Sequence, residues 1–369
     1  MPRTPLALPD FPWDSLVPFG DRARQHPDGI IDLSVGSPVD ATPAVVRDAL
    51  AAATDAHAYP LTVGSPQLRE AIVQWYARRR GVDDLSVANV LPTIGSKELI
   101  ALLPLFFGLG RGDTVVQPQV AYPTYAIGAA LVGANVVASD DPAEWPESTR
   151  VVWLNTPGNP DGRVLSIDEL RAAVARAREL GAVVLSDECY AELAWSGEVP
   201  TVSILDPRVI EGNRDSVLAV YSLSKQSNLA GYRAGFVAGC SNLIAELLGV
   251  RKHAGLLPPA PVQAAMTAAL GDDEHVAVQR ERYRERRARL VPAIEAAGYT
   301  IDYSDGGLYL WATKGQDSWA SVAEFAELGI LVVPGTFYGE QPATHVRIAL
   351  TATDAAIDAA VARLAVANL

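Results

Sequence analysis

From residue 81 onward the chain alternates between two hydrophobic patterns. Short apolar runs rich in β-branched residues fall at Val90–Ile94, Thr114–Gln117, Asn135–Ala138, 151–155, 182–186, 218–221 and 235–239. Between most of them apolar positions recur every three or four residues, as in 96–107 and 166–180. The first pattern predicts buried strands and the second amphipathic helices. Near-continuous apolar strands alternating with helices predict a mostly parallel sheet covered on both faces. Seven such strands make one large α/β domain, expected over residues 42–270.

The flanks read differently. Residues 1 to about 40 are Pro-rich and irregular, ending in an apolar piece at 30–35 and Gly36-Ser-Pro38. A helix is predicted over 42–53 with Pro43 at its first position, then a turn from Tyr59 to Gly64, then a helix over 66–80. Residues 272–297 form a long Arg- and Glu-rich helical stretch, with Pro292 expected to bend it, that bridges to a second region. There the pattern becomes strands at 299–303, 308–312, 330–333 and 345–350, with helices near 319–328 and from Asp354. This predicts a smaller α+β domain built from 271–369 and completed by 1–41. No internal repeat is visible.

Composition narrows the function classes. Hydrophobic residues are 49% and charged residues 20%, the balance of a globular chain. The formal charge of −13 argues against a nucleic-acid partner, whose phosphates require a basic face. No apolar run is long enough to span a membrane, and the N-terminal residues lack a signal-peptide core. Two cysteines, Cys189 and Cys240, make no disulfide framework and fit a reducing compartment. A cytoplasmic location without membrane partners is expected. No metal ligands are assigned.

Only four lysines occur among 30 cations: Lys97, Lys225, Lys252 and Lys314. Lys225 alone combines a strand end with flanking serines, in Ser222-Leu-Ser-Lys225, and Arg233 follows eight residues later. A lysine desolvated in such a loop loses part of its proton affinity and becomes a nucleophile able to form a Schiff base. Hydroxyls and an arginine beside it suit a phosphate. Taken alone, the stretch reads equally well as a surface turn.

Other candidates also sit where predicted strands end, the edge at which parallel sheets bind ligands. Gly95-Ser96-Lys97 begins a helix, whose free N–H groups favour a phosphate, though it is also an ordinary helix start. Asn159 lies in an Asn- and Pro-rich stretch, 155–162, that reads first as a turn. Asp187, in Asp187-Glu-Cys-Tyr190, is a costly buried acid unless it meets a cation, or else a helix cap. Tyr122 follows another strand and is either core or a stacking platform. Arg347 has apolar neighbours along its strand, a position that calls for an anion.

The series Tyr59…Gly64, Gly95-Ser96-Lys97, Tyr122, Asn159-Pro160, Asp187…Tyr190, Ser222…Lys225 and Arg233 resembles the fold-type I, class I/II aminotransferases. The likeness covers nearly the whole chain. One departure is Asp161, where the family usually has Thr after Asn-Pro; Asn159 and Gly162 remain. The resemblance implies pyridoxal 5′-phosphate as cofactor. It makes Lys225 the Schiff-base lysine and proton carrier, and Asp187 the partner of the pyridine nitrogen. Tyr190 and Asn159 would meet the ring's phenolate oxygen, and Tyr122 the ring face. Ser222, Arg233 and the Ser96-Lys97 backbone would hold the phosphate. Tyr59 would reach it from a partner subunit, which implies a homodimer with shared active sites. Arg347 would clamp the substrate carboxylate, with the Gly36 backbone against the substrate.

Within the family, residues 222–236, 251–255, 261–266 and 306–311 are similar to bacterial N-succinyldiaminopimelate aminotransferases. That implies amino transfer between N-succinyl-L,L-diaminopimelate and the 2-oxoglutarate/glutamate pair, in diaminopimelate and lysine biosynthesis. Residues 251–255, supplied across the dimer, and Arg24 are nominated to read the succinyl tail. The alternatives are an aminotransferase for aspartate or unsuccinylated diaminopimelate, a C–S lyase on the same fold, and a cofactor-sensing regulator. The last is disfavoured by acidic charge and by the absence of residues left over for a DNA-binding domain.

Overall fold

All seven apolar runs become strands of one sheet in a computed structural model that describes residues 8–195 and 201–366. In chain order the strands are β1 (Ile31–Asp32), β2 (Val90–Ile94), β3 (Thr114–Gln117), β4 (Asn135–Ala138), β5 (Thr149–Asn155), β6 (Val183–Asp187) and β7 (Val217–Ser222). They continue as β8 (Ala234–Gly239), β9 (Thr300–Ile301), β10 (Tyr309–Thr313), β11 (Ile330–Leu331), β12 (Val333–Pro334) and β13 (His345–Ala349).

The large sheet has the order β2-β8-β7-β6-β5-β3-β4. Only β8 runs against its neighbours; the rest point one way. Successive side chains of a strand face opposite sides, and except in the exposed edge strand β4 both sides are buried. In β7, Val217, Ala219 and Tyr221 join one apolar cluster, while Leu218 and Val220 join another on the opposite face. That two-sided burial is why these strands carry no polar alternation.

The register collects one edge. Ile94 pairs with Ala234, Gly235 with Ser222, Val220 with Asp187, and Asp187 with Asn155. The C-terminal ends of β2, β5, β6 and β7 and the start of β8 therefore meet along one rim.

A four-stranded antiparallel sheet, β12-β13-β10-β9, supports a second core. The apolar stretch 330–333 is not one strand. Ile330–Leu331 pairs with β1 from the N-terminal segment, while Val333–Pro334 pairs with β13. The strand expected at 299–303 is reduced to two residues. Residues 33–36 are then laid against the small sheet: Leu33 N–H donates to Leu331, Ala349 N–H to Leu33, and Thr351 to Val35. This delivers Gly36 to the rim of the large sheet.

The stretch 272–297 forms a helix, Glu274–Ala296, with Pro292 inside it. Its Arg286 is fully buried and donates to both oxygens of Asp40 (2.7 and 2.8 Å) and to Asp354 (3.0 Å). One side chain thus ties together the N-terminal segment, the long helix and the last helix. Among the described residues, no helix is long and apolar enough to cross a membrane.

Candidate active site

Lys225 stands on the short helix Leu223–Gln226, immediately after β7. Ser222 caps this helix, accepting from Ser224 N–H at 3.2 Å. The turn is fastened from behind. Tyr221 hydroxyl donates to Gln226 (2.5 Å), Ser227 hydroxyl bonds His275 (2.8 Å), and Asn228 donates to Gln279 (2.9 Å), the last two partners lying on the long helix. Lys225 Nζ itself donates to the Gly36 carbonyl. A tightly held backbone that presents one amine, held only by a backbone carbonyl, suits a nucleophile.

Asp187 ends β6, buried. It accepts from Tyr125 hydroxyl at 3.0 Å and from Cys189 N–H at 3.2 Å. Burial pushes its carboxyl upward, against the hydrogen bonds from Cys189 and Tyr125 and the charge of Lys225. Tyr122 lies edge-on to Tyr125 with ring centres 5.7 Å apart, and burial raises its phenol to about 12.

An anion cup forms beside Lys225. Gly95 opens the helix Gly95–Phe106 at φ +71, and a Cβ there would stand 2.5 Å from Arg233 Nη2. Only glycine lets the guanidinium lie against the helix start. Arg233 is itself in the left-handed region at φ 54, a strained setting for a non-glycine residue. Ser96 hydroxyl lies 3.5 Å from Cys189 Sγ. The Lys97 side chain is exposed, so its contribution to the cup is its place in the helix's first turn.

Arg347, on β13, is buried and makes no salt bridge among the described residues. Its Nη1 donates to Asn159 (3.0 Å), its Nη2 to the Ser34 carbonyl (2.6 Å), and its Nε has no partner. Tyr309 and Tyr338 flank the guanidinium, 4.0 and 5.1 Å from their ring centres. Tyr190 hydroxyl lies 3.2 Å from Tyr309 hydroxyl. Lys225, Asp187 and Arg347 thus gather at one rim, Lys225 near both Asp187 and the Tyr309 ring that Arg347 stacks on, and none of the three sits in a salt bridge among the described residues. Unpaired buried charge is expensive, and a ligand bearing both an acid and a ring nitrogen would relieve it.

Three nominated groups fall elsewhere. Tyr59 is 97% exposed and touches none of these residues within its own chain. Arg251 is a correction: it is wholly buried and bonds Glu98 at 2.7 Å, so it is a core ion pair rather than a tail reader, while Lys252 and His253 are exposed. Arg24 pairs with Asp21 on the surface. Two contributors were not singled out from sequence. Tyr125 stands in the first turn of the helix Thr124–Val132, three residues after Tyr122, and Tyr309 looked like one more apolar position of a strand.

The residues fit pyridoxal 5′-phosphate. The glycine-floored cup of Gly95 and Arg233 suits its phosphate, Asp187 its ring nitrogen and Lys225 its aldehyde. Comparison with known proteins agrees. The family model for class I and II aminotransferases matches residues 28–364. The chain is 56% identical to the 4-dedimethylamino-4-oxo-anhydrotetracycline transaminase of Streptomyces rimosus, covering 97% of this chain and 99% of that one. It is 55% identical to a probable aminotransferase of Mycobacterium tuberculosis, covering 97% and 85%. The solved N-succinyldiaminopimelate aminotransferase of M. tuberculosis superposes with a TM-score of 0.86 at 26% identity, over 96% of each chain.

Proposed function

Because this chain belongs to the class I and II aminotransferases, which depend on pyridoxal 5′-phosphate, we propose that it moves an amino group between N-succinyl-L,L-diaminopimelate and the 2-oxoglutarate/glutamate pair. The observation that carries the transfer chemistry is the set Lys225, Asp187 and Arg347, three ionisable groups at one rim without salt bridges among the described residues. When bound, the cofactor supplies an aldehyde that captures amines and a protonated ring that withdraws electrons from substrate Cα.

Each side chain then has a task. Lys225 Nζ anchors the cofactor and, once released, moves the proton at substrate Cα. Asp187 keeps the ring nitrogen protonated, which its buried carboxylate does best when a cation sits against it. Tyr190 and Asn159 meet the ring's phenolate oxygen, and Tyr122 covers one face. Ser222, Arg233 and the backbone of Ser96 and Lys97 hold the phosphate. Arg347 grips the α-carboxylate through a planar fork that Asn159 and Ser34 already orient. Gly36 presents its backbone to the substrate. Tyr59, exposed beside exposed Leu61, serves the site of a second copy, so the working unit is a homodimer. Two buried free cysteines accord with a cytoplasmic setting.

The succinylated donor is supported by the resemblance over 222–236 and 306–311 and by the solved neighbour of that name. The relative at 56% identity, named for an anhydrotetracycline substrate, favours a second reading: a flat polycyclic ketone as acceptor. A half-reaction panel separates them. The pyridoxal enzyme is mixed with N-succinyl-L,L-diaminopimelate, L,L-diaminopimelate, aspartate, glutamate and an aminated anhydrotetracycline, and loss of cofactor absorbance is followed. Fastest conversion with the succinylated donor is expected. Inertness toward it ends the substrate proposal and leaves the aminotransferase standing; pyruvate released from cystathionine would indicate a lyase.

A further inference from the structure

The turn that carries Lys225 is bracketed by a line of hydrogen bonds that the scheme above leaves without a task. Tyr221 hydroxyl donates to Gln226 Oε1, and Gln226 Nε2 donates to Ser227 Oγ at 3.2 Å. Ser227 Oγ lies 2.8 Å from His275 Nε2, and His275 Nδ1 lies 3.0 Å from Asp272 Oδ2. Asp272 is itself aimed, because its other oxygen accepts from Glu274 N–H at 3.1 Å where the long helix begins. Asp272, His275 and Ser227 have the order of a hydrolase triad. Ser227 is wholly buried, however, and can meet no substrate. The line ends on the Lys225 turn instead.

Asp272 fixes which way every proton in the line points. A carboxylate only accepts, so in the neutral imidazole the proton sits on Nδ1 and Nε2 is bare. The bare Nε2 takes the one proton of the Ser227 hydroxyl. Ser227 oxygen is then left to accept from Gln226 Nε2, which turns Gln226 Oε1 toward Tyr221. Burial pushes the Tyr221 phenol well up, so it keeps the proton it donates. Tyr221, Gln226 and Ser227 are all buried, and none can exchange a lost partner for water.

The amine needs such aiming because its own acceptor cannot follow it. Lys225 Nζ donates to the Gly36 carbonyl, and Gly36 is wedged against Tyr309: a Cβ on it would stand 1.9 Å from the phenol oxygen. The same helix also steadies what flanks the turn. Gln279, one helical turn after His275, accepts from Asn228 at 2.9 Å and donates to Asp40 at 2.8 Å.

We propose that His275, oriented by Asp272, is a positioning residue for Lys225. By taking the Ser227 proton it holds the turn at the angle that presents the amine to the cofactor and to substrate Cα. His275 transfers no proton and touches neither of them. Without an acceptor at residue 275 the buried Ser227 proton is orphaned, and the turn relaxes to find it another partner.

The inference rests on the role proposed for Lys225, and the experiment reads the two separately. Holoenzyme is labelled with nitrogen-15 histidine; the chain has five histidines, and the signal lost in His275→Gln identifies residue 275. A proton on Nδ1 and a bare Nε2 are expected, and a proton on Nε2 overturns the proposal. Single turnovers are then followed with whichever donor of the panel reacts fastest. His275→Ala should slow conversion about 10- to 100-fold, the effect of misplacing a reacting group by about an ångström, with the donor concentration at half-maximal rate unchanged. Deuterium at substrate Cα should slow this variant more than the wild type, since a misplaced amine makes that proton transfer limiting. His275→Gln supplies an acceptor oxygen near the Nε2 position and should recover most of the rate. Ser227→Ala, a smaller change to the fold, should match His275→Ala, and the double variant should be no slower than either. Wild-type rates in His275→Ala, equal losses in the Ala and Gln variants, or additive losses in the double variant overturn the proposal. Borohydride label on another lysine would overturn the site reading instead, and the nitrogen signals tell that result from a failed hydrogen-bond line.

Discussion

Arg286 and Arg347 are both buried arginines, and they live in opposite surroundings. Arg286 is saturated by the carboxylates of Asp40 and Asp354. Arg347 has one amide oxygen, one carbonyl, two aromatic faces and an Nε with nothing to bond. The first is a structural tie whose charge is cancelled inside the fold. The second keeps its charge in reserve for a carboxylate from outside. In a chain with net charge −13, leaving an arginine without an acid is not a matter of supply.

The sharpest way to break this comparison is to remove the structural partner. Arg286→Ala leaves Asp40 without its ion-pair partner and Asp354 with Arg289 alone, and breaking a buried pair typically costs about 3–5 kcal/mol. Denaturant unfolding near neutral pH should show a loss of that order. The loss should shrink in acid. Burial pushes Asp40 upward, but Arg286 and Gln279 hold it below the usual carboxylate range, and the hydrogen bond from Arg286 does the same for Asp354. Both contribute stability above the ordinary carboxyl pKa and lose it as pH falls through their depressed values. A loss independent of pH would make Arg286 a packing residue.

Arg347→Lys should reverse the pattern, with a smaller effect on unfolding and a larger one on catalysis. Lysine keeps the charge but not two parallel N–H···O bonds. Charged hydrogen bonds are worth about 1.5–3 kcal/mol, so kcat/KM should fall on the order of ten- to a hundred-fold with every donor. Steady-state kinetics with glutamate and the succinylated donor would show this. Damage confined to one donor would move Arg347 from the common carboxylate to a tail.

How much of this was legible depends on whether the signal is local. Six strands of the large sheet were visible because two-sided burial leaves apolar runs, and the exposed edge strand β4 was visible by its Val-Val pair alone. Lys225 was visible because a scarce residue sat among serines at a strand end. Arg251 misled because its partner, Glu98, lies 153 positions away, and nothing local tells a buried pair from a solvent-facing cation. The stretch 330–333 read as one strand because hydrophobicity does not show that its halves pair with different sheets. Tyr309 was hidden because an inward tyrosine on a strand looks like core until Gly36 arrives from 273 residues upstream, a distance set by the chain's own numbering.

Asp161 gives the smallest effect and sharpens the cost of unpaired charge. Burial raises its carboxyl to about 6, against the hydrogen bond from Arg163 N–H. A raised carboxyl favours the fold most when protonated, and that advantage is lost as pH rises through the folded value. Asp161→Thr, the usual residue of the family, should therefore raise the melting temperature more at about pH 8 than at about pH 5. An equal shift at both would trace it to local backbone preference instead.

The central claim is that the cleft between Lys225, Asp187 and Arg347 is where amino transfer happens. With four lysines in the chain, it can be tested directly. The holoenzyme is reduced with borohydride, digested, and the peptide bearing the cofactor is sequenced. The account predicts label on Lys225 alone, abolished in Lys225→Ala. Label on Lys97, Lys252 or Lys314 would contradict it.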